Sequence, residues 1–126
     1  MWINKRIVFG TAAAIDVRNK GQQYFIKAMR ILLKKGYDIE YLLAGGNKTN
    51  SKYLQNLVKK YGLEDRVKFL GSLNKEGISN FYNSIDVYVQ PSLQEGLPRS
   101  VIEAMSHGCL CIGAKTGGIP ELIDNE

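Results

Sequence analysis

Apolar residues in this chain come in short runs of four to six, separated by stretches where they recur at helical spacing. Ile7-Val8-Phe9-Gly10 is such a run and reads as a buried strand that opens into a loop at Thr11 and the three alanines after it. Tyr24, Phe25, Ala28, Met29, Leu32 and Leu33 then recur with a period near 3.6, and Gly36 follows Lys34-Lys35 as a stop signal. That spacing predicts a helix from Gln22 to Lys35 with those six residues as its core stripe. Ile39-Glu40-Tyr41-Leu42-Leu43-Ala44 is a second strand, closed by a turn at Gly45-Gly46. A polar loop over Asn47 to Ser51 leads to Tyr53, Leu54, Leu57, Val58 and Tyr61, again at helical spacing and again closed by a glycine, Gly62.

The second half repeats the alternation. Val67-Lys68-Phe69-Leu70-Gly71 is half polar, so a strand nearer a sheet edge is expected. Asn74 can cap a short helix carrying Ile78, Phe81 and Tyr82, and Ile85-Asp86-Val87-Tyr88-Val89 reads as the fourth strand. A helix then runs from Pro98, suited to the first helical position, to a stop at Gly108, and Cys109-Leu110-Cys111-Ile112 is a fifth strand. Strands that alternate with helices in this way imply a parallel sheet wrapped on both faces, because each parallel crossover needs a helix-length connection. The expected fold class is therefore α/β, a Rossmann-like parallel sheet in a single domain over residues 1–126. Ligands of such sheets bind beyond the C-terminal strand ends. The loops Thr11 to Lys20, Gly45 to Asn50, Gly71 to Lys75, Pro91 to Pro98 and Ala114 to Ile119 all fall there.

Candidate chemistry gathers around the fourth strand and the helix after it. The first-turn amides of Arg99, Ser100 and Val101 have no carbonyl partner within the helix, and the positive end of the helix dipole lies behind them, which suits a phosphate. Glu95 stands just before this socket and Glu103 about one turn inside the helix. Two carboxylates could bracket a ligand with hydroxyls at both ends, as a nucleotide sugar has. Each has a plainer reading: Glu103 could complement the dipole, and Glu95 could be an exposed loop charge. Lys20 opposes the dipole of the helix it precedes, which favours a functional role, and Gly117-Gly118 could be a tight turn.

Composition changes little. Hydrophobic residues at 44% and charged residues at 23% suit a globular domain, and no apolar run is long enough for a membrane span. The N-terminus does not read as a signal peptide, so a cytoplasmic location is expected. Seventeen basic against twelve acidic residues give a net charge of +5. The lysines read as scattered pairs at helix ends and the aromatics sit at core spacing, which argues against a nucleic-acid partner and leaves an anionic membrane surface open. Cys109 and Cys111 are expected to be small core residues on one strand face. With His107 they lack a fourth ligand, so no metal is expected. His107 is read as a dipole-compensating surface residue.

The sequence resembles the C-terminal, donor-binding half of the retaining GT-B glycosyltransferases, group 1 family. The resemblance is carried by Lys20-Gly21, Gly45-Gly46, Arg66 to Gly71, Asp86 to Ser92, and Gly117-Gly118-Ile119-Pro120-Glu121. Its specific signature is Glu95-Gly96-Leu97-Pro98 running through Glu103-Ala104-Met105, two glutamates with seven residues between them. The resemblance implies the C-terminal half of a GT-B fold and transfer of a sugar from a nucleotide donor to a glycan or lipid-linked acceptor, as in polysaccharide biosynthesis. Glu95 and Lys20 would be catalytic, Glu95 at the donor sugar and Lys20 at the departing phosphate. Glu103 would accept hydrogen bonds from the ribose, and the amides near Arg99 and Ser100 would hold the diphosphate. Gly96 and Leu97 would also line the donor, and the base would lie near Gly71-Ser72-Leu73. Where the family usually carries a second phosphate cation this chain has Ala12-Ala13-Ala14, so Arg18 is expected to substitute, and Pro98 removes one amide. The family resemblance further implies a separate N-terminal acceptor domain, no metal or other cofactor, and peripheral contact with the inner face of a membrane. Alone, the chain should bind donor and transfer little. The alternative is a stand-alone flavodoxin-like nucleotide-binding or signalling module. A phospho-receiver of that kind would need an acidic cluster after the first strand, where this chain has Gly10-Thr11-Ala12-Ala13-Ala14.

Overall fold

The computed structural model describes residues 5–13, 21–46, 48–90 and 99–113. Among these described residues five strands, β1 (Ile7–Ala12), β2 (Ile39–Ala44), β3 (Val67–Gly71), β4 (Val87–Gln90) and β5 (Leu110–Gly113), alternate with four helices. The helices are α1 (Gln22–Lys34), α2 (Lys48–Lys60), α3 (Lys75–Ser84) and α4 (Arg99–Ser106). All strand pairs are parallel and the order across the sheet is β3-β2-β1-β4-β5. The half-polar β3 lies at one edge, as its composition implies. From β1 the chain steps outward to β3, then returns through α3 to β4 on the far side of β1. The connections therefore diverge between β1 and β4, which opens a crevice at the C-terminal ends of those strands.

The period-two alternation of the strands builds two cores. Ile39, Tyr41 and Leu43 of β2, with Ile7, Val67, Val87 and Val89, pack under Phe25, Ile26 and Met29 of α1 and Leu54, Leu57 and Val58 of α2. Ala44, Tyr88, Phe81, Tyr82, Val101 and Ala104 form the opposite core, under α3 and α4. Each large side chain withdrawn completely from water, such as Ile26 or Met29, stabilises the fold by about 1.5–3 kcal/mol. Gly10 is required by this packing. A Cβ there would lie 2.7 Å from Ile85 Cγ2 and 2.8 Å from Phe81 Cζ, so its absence lets α3 settle onto β1.

Three helices end in the same way. Gly36, Gly62 and Gly108 adopt left-handed φ values of 94°, 68° and 83°. Their amides, and those of Tyr37, Leu63 and Cys109, bond back to the last helical turn in the paired pattern of a Schellman motif. Asn74 caps α3, its Oδ1 accepting from Gly77 N at 2.8 Å.

Several expected boundaries move. β1 continues through Thr11 and Ala12, because Thr11 donates to Val89 O at 2.7 Å and Tyr41 OH then donates to the Thr11 hydroxyl at 2.6 Å. α2 starts at Lys48, inside the expected polar loop, and Ile85 belongs to the end of α3. Cys109 and Cys111 share one face and pack on the α4 side, but both are half-buried, because β5 is the outermost described strand. Tyr24 and Tyr53 are not core residues: they are 50% and 49% exposed. The buried stripe of α1 is centred on Ile26 and Met29, which turns Tyr24 outward.

Candidate functional site

A cleft of about 410 Å3 opens at the C-terminal ends of β1 and β2, with α4, the helix after β4, on its far side. Its floor is Ala12, Ala13, Ala44 and Gly45; Ser72, Leu73, Ile78 and Tyr82 form one wall, Ser100 and Glu103 of α4 the other. The floor depends on small residues in close backbone contact. Ala13 N donates to Ala44 O at 3.1 Å, and Gly45 N to Gly71 O at 2.6 Å, so the chain leaving β2 bends over the end of β3. Gly45 has φ +95°, and a Cβ on it would stand 2.5 Å from Ala13 O. No other residue type fits there without moving β1 and β2 apart.

A buried polar network fixes the start of α4. Tyr88 is fully buried and Gln90 nearly so. Ala12 N donates to Tyr88 OH at 3.0 Å, and the Tyr88 proton has two acceptors within 3.1 Å, Ala12 O and Gln90 Oε1. Gln90 Oε1 also accepts from Ser100 Oγ at 3.3 Å, while Tyr82 OH donates to Ser100 O at 3.3 Å. The first turn of α4 is thus tied to the ends of β1 and β4 and to α3. Burial pushes the Tyr88 hydroxyl up to about 12 and raises that of Tyr82 as well. Both therefore remain protonated donors at neutral pH.

Glu103 lies three residues after Ser100 and lines the same cleft. The first turn of α4 contains no acidic residue, so Glu103 sits beyond the turn where a carboxylate complements the dipole best. Its main-chain carbonyl accepts from Ser106 Oγ at 2.7 Å and from His107 Nδ1 at 2.9 Å. A carbonyl only accepts, so Nδ1 carries the proton. His107 thereby closes the last turn of α4 and stacks 5.1 Å from the Tyr82 ring.

Of the residues expected at the site, Leu73, Ser100 and Glu103 converge on the cleft, with Ser72 beside Leu73. Arg99 opens α4, and its side chain lies outside the described set. Lys20, Arg18, Glu95, Gly96 and Leu97 lie outside the described residues, as do Pro98 and Gly117 to Glu121. Tyr82, Tyr88 and Gln90 have no place in the sequence reading of the site. Their signals there are that polar-tipped residues occur inside otherwise apolar elements and that Tyr88 and Gln90 fall within the Asp86 to Ser92 stretch of the family resemblance. Asp86 also gains a role: its Oδ2 accepts from Val8 N at 2.8 Å and its amide donates to Val8 O at 2.7 Å, pinning the start of β4 to β1. Among the described residues no group of three His, Cys, Asp or Glu side chains could hold a metal ion, and no helix is long and apolar enough to cross a membrane.

The sequence profile described as "Glycosyl transferases group 1" matches residues 4–126. The chain belongs to this family. Among curated relatives, the amylovoran biosynthesis glycosyltransferase AmsK of Erwinia amylovora is 33% identical over 112 residues, covering 84% of this chain and 27% of AmsK. Anabaena Alr3699/HepE, solved in complex with UDP and glucose, superposes with a TM-score of 0.81 at 27% identity, over 96% of this chain and 33% of that one. The C-terminal domain of the group 1 protein LpcC from Francisella tularensis superposes with a TM-score of 0.79 at 31% identity, over 93% of this chain and 62% of that one. This group 1 chain thus has the fold of the family's C-terminal domain, and it spans about a third or less of the length of the curated relatives it matches.

Proposed function

We propose that this chain is the nucleotide-sugar-binding domain of a retaining glycosyltransferase, working with an N-terminal domain that supplies the acceptor site. The observation that carries the reading is the convergence of Glu103, Ser100 and Leu73 on one cleft at the C-terminal strand ends. HepE, a fold relative with UDP and glucose bound, supports a nucleotide-sugar ligand, and AmsK, a glycosyltransferase of amylovoran biosynthesis, supports a glycan acceptor. In this reading Glu103 accepts hydrogen bonds from the ribose, and Leu73 and Ser72 flank the base. The free amides at the start of α4 meet the diphosphate, which Lys20 and Arg18 neutralise as it departs, without a metal. Arg99, Gly96 and Leu97 line the donor, and Glu95 contacts the sugar near the reacting carbon.

The test is a calorimetric titration of UDP-, GDP- and ADP-sugars into the chain and into Glu103→Ala. Two charge-assisted hydrogen bonds at about 1.5–3 kcal/mol each predict that the substitution weakens binding by at least about 10-fold. Equal affinity in both proteins would return Glu103 to a structural role. Retention is read separately, from the anomeric configuration of the first product formed by the complete two-domain enzyme.

A further inference from the structure

Ser100, Glu103 and His107 follow one another at spacings of three and four, so they form one line along α4 and its closing turn. Among the described residues one side chain touches both ends of that line. Tyr82 of α3 donates from its hydroxyl to Ser100 O at 3.3 Å, and its ring centre lies 5.1 Å from that of His107, with 31° between the planes. His107 in turn donates from Nδ1 to Glu103 O at 2.9 Å. Glu103 therefore sits between the two points at which Tyr82 meets α4. A carbonyl has two lone pairs, so the hydroxyl holds Ser100 O without taking it from the helical hydrogen bond.

Tyr82 is itself held from behind. Its main-chain carbonyl accepts from Cys109 Sγ at 3.3 Å, just before β5, and its ring packs with Phe81, Tyr88 and Ala104. Phe81, the residue before it, presses onto Gly10 of β1, which fixes this part of α3 to the sheet. Tyr82 is buried, yet it lines the cleft together with Ser100 and Glu103. Burial first, then the neighbouring Tyr88 and the Glu103 charge, raise the ionisation of its hydroxyl, so the group stays a protonated donor beside the carboxylate.

We propose that Tyr82 is a positioning residue for Glu103, setting how far along and about its axis α4 lies, so that the carboxylate meets the ribose while the first-turn amides meet the diphosphate. The inference rests on the nucleotide-sugar reading of the cleft. Recognition of this kind needs the carboxylate placed to within about 0.5 Å. A helix of 8 residues is too short to be held by its own hydrogen bonds, so its placement comes from tertiary contacts. Gln90 grips only the first turn, through Ser100 Oγ. Tyr82 grips the line on both sides of Glu103.

The unsubstituted chain, Tyr82→Phe, Glu103→Ala and the double variant are titrated by calorimetry with UDP, GDP and ADP and with the 2′-deoxy form of each. With the base that binds, the unsubstituted chain should prefer the ribose form by at least about 10-fold, because the 2′-deoxy form lacks one charge-assisted hydrogen bond to Glu103. Tyr82→Phe keeps the ring and removes only the hydroxyl, and it should shrink that preference to about 3-fold. In Glu103→Ala the preference should vanish, and adding Tyr82→Phe should then change nothing, as expected of a residue that acts through the carboxylate. Thermal denaturation confirms that all four proteins are folded during the titrations. If the unsubstituted chain binds no nucleotide, or binds ribose and deoxyribose forms equally, the reading of the cleft fails and the inference falls with it. If it discriminates and Tyr82→Phe discriminates as well as it does, or weakens both forms by the same factor, the reading of the cleft stands and the positioning role is refuted. A shift in preference on adding Tyr82→Phe to Glu103→Ala would refute it too.

Discussion

The hydroxyl of Tyr88 accepts a hydrogen bond from the amide of Ala12 at 3.0 Å, joining the ends of two strands that are 76 residues apart in sequence. Through Gln90 the same hydroxyl reaches Ser100, so one buried oxygen links β1, β4 and the start of α4. Tyr88→Phe should therefore cost about 1–3 kcal/mol in urea denaturation, because it removes the acceptor of one amide and the donor to its neighbours without creating a cavity. Ligand affinity at the cleft should fall with it, since Ala12 and Ser100 both line that space. A loss of stability below about 0.5 kcal/mol would mean that water replaces the hydroxyl without penalty.

The floor of the cleft makes a second, separable prediction. Gly45 and Gly36 have nearly the same backbone, φ +95° and +94°, but a Cβ at Gly36 meets nothing within 4 Å, whereas at Gly45 it meets Ala13 O at 2.5 Å. Gly36→Ala should cost about 1–2 kcal/mol, the left-handed penalty alone. Gly45→Ala should cost that amount and at least about 1 kcal/mol more for displacing the end of β1. Denaturation midpoints of the two variants isolate the steric part, and equal losses would show that Ala13 moves aside freely.

Stability should fall at alkaline pH. Burial raises the hydroxyls of Tyr41, Tyr82 and Tyr88 above the unfolded value near 10, Tyr88 to about 12. A raised folded value means a contribution that is complete below pH 10 and disappears as the pH climbs from there toward the folded value. Denaturant midpoints measured between pH 8 and about 11 should decline, and less steeply in Tyr88→Phe. The opposite sign applies to Asp38, whose carboxyl is lowered by the Arg66 hydrogen bond and further by the Arg6 charge. Its contribution is present above the unfolded carboxylate value and is lost as the pH falls through the folded one. Because Asp38 is exposed, the effect is small, and Asp38→Asn should barely move the midpoint at pH 7.

Local signals decided much of this protein. Helical and alternating periodicities set the elements, because burial on one face acts on neighbours three, four or two residues apart. Gly36, Gly62, Gly108 and Asn74 marked helix ends, because caps are made by residues within a turn of the terminus. Helix-length connections made the sheet parallel, and so located the ligand edge. The family signature in Glu95 to Glu103 could be read for the same reason, as a contiguous run. Relations between distant segments were decided only by the tertiary structure. Nothing near Gly10 in sequence reveals that Phe81 and Ile85 will press on it, and nothing near Tyr88 reveals Ala12. The lysines of α1 and α2 read as scattered pairs along the chain. They become one basic face because two helices separated by β2 lie side by side on the same side of the sheet, turning Tyr24, Ile31 and Tyr53 outward with them.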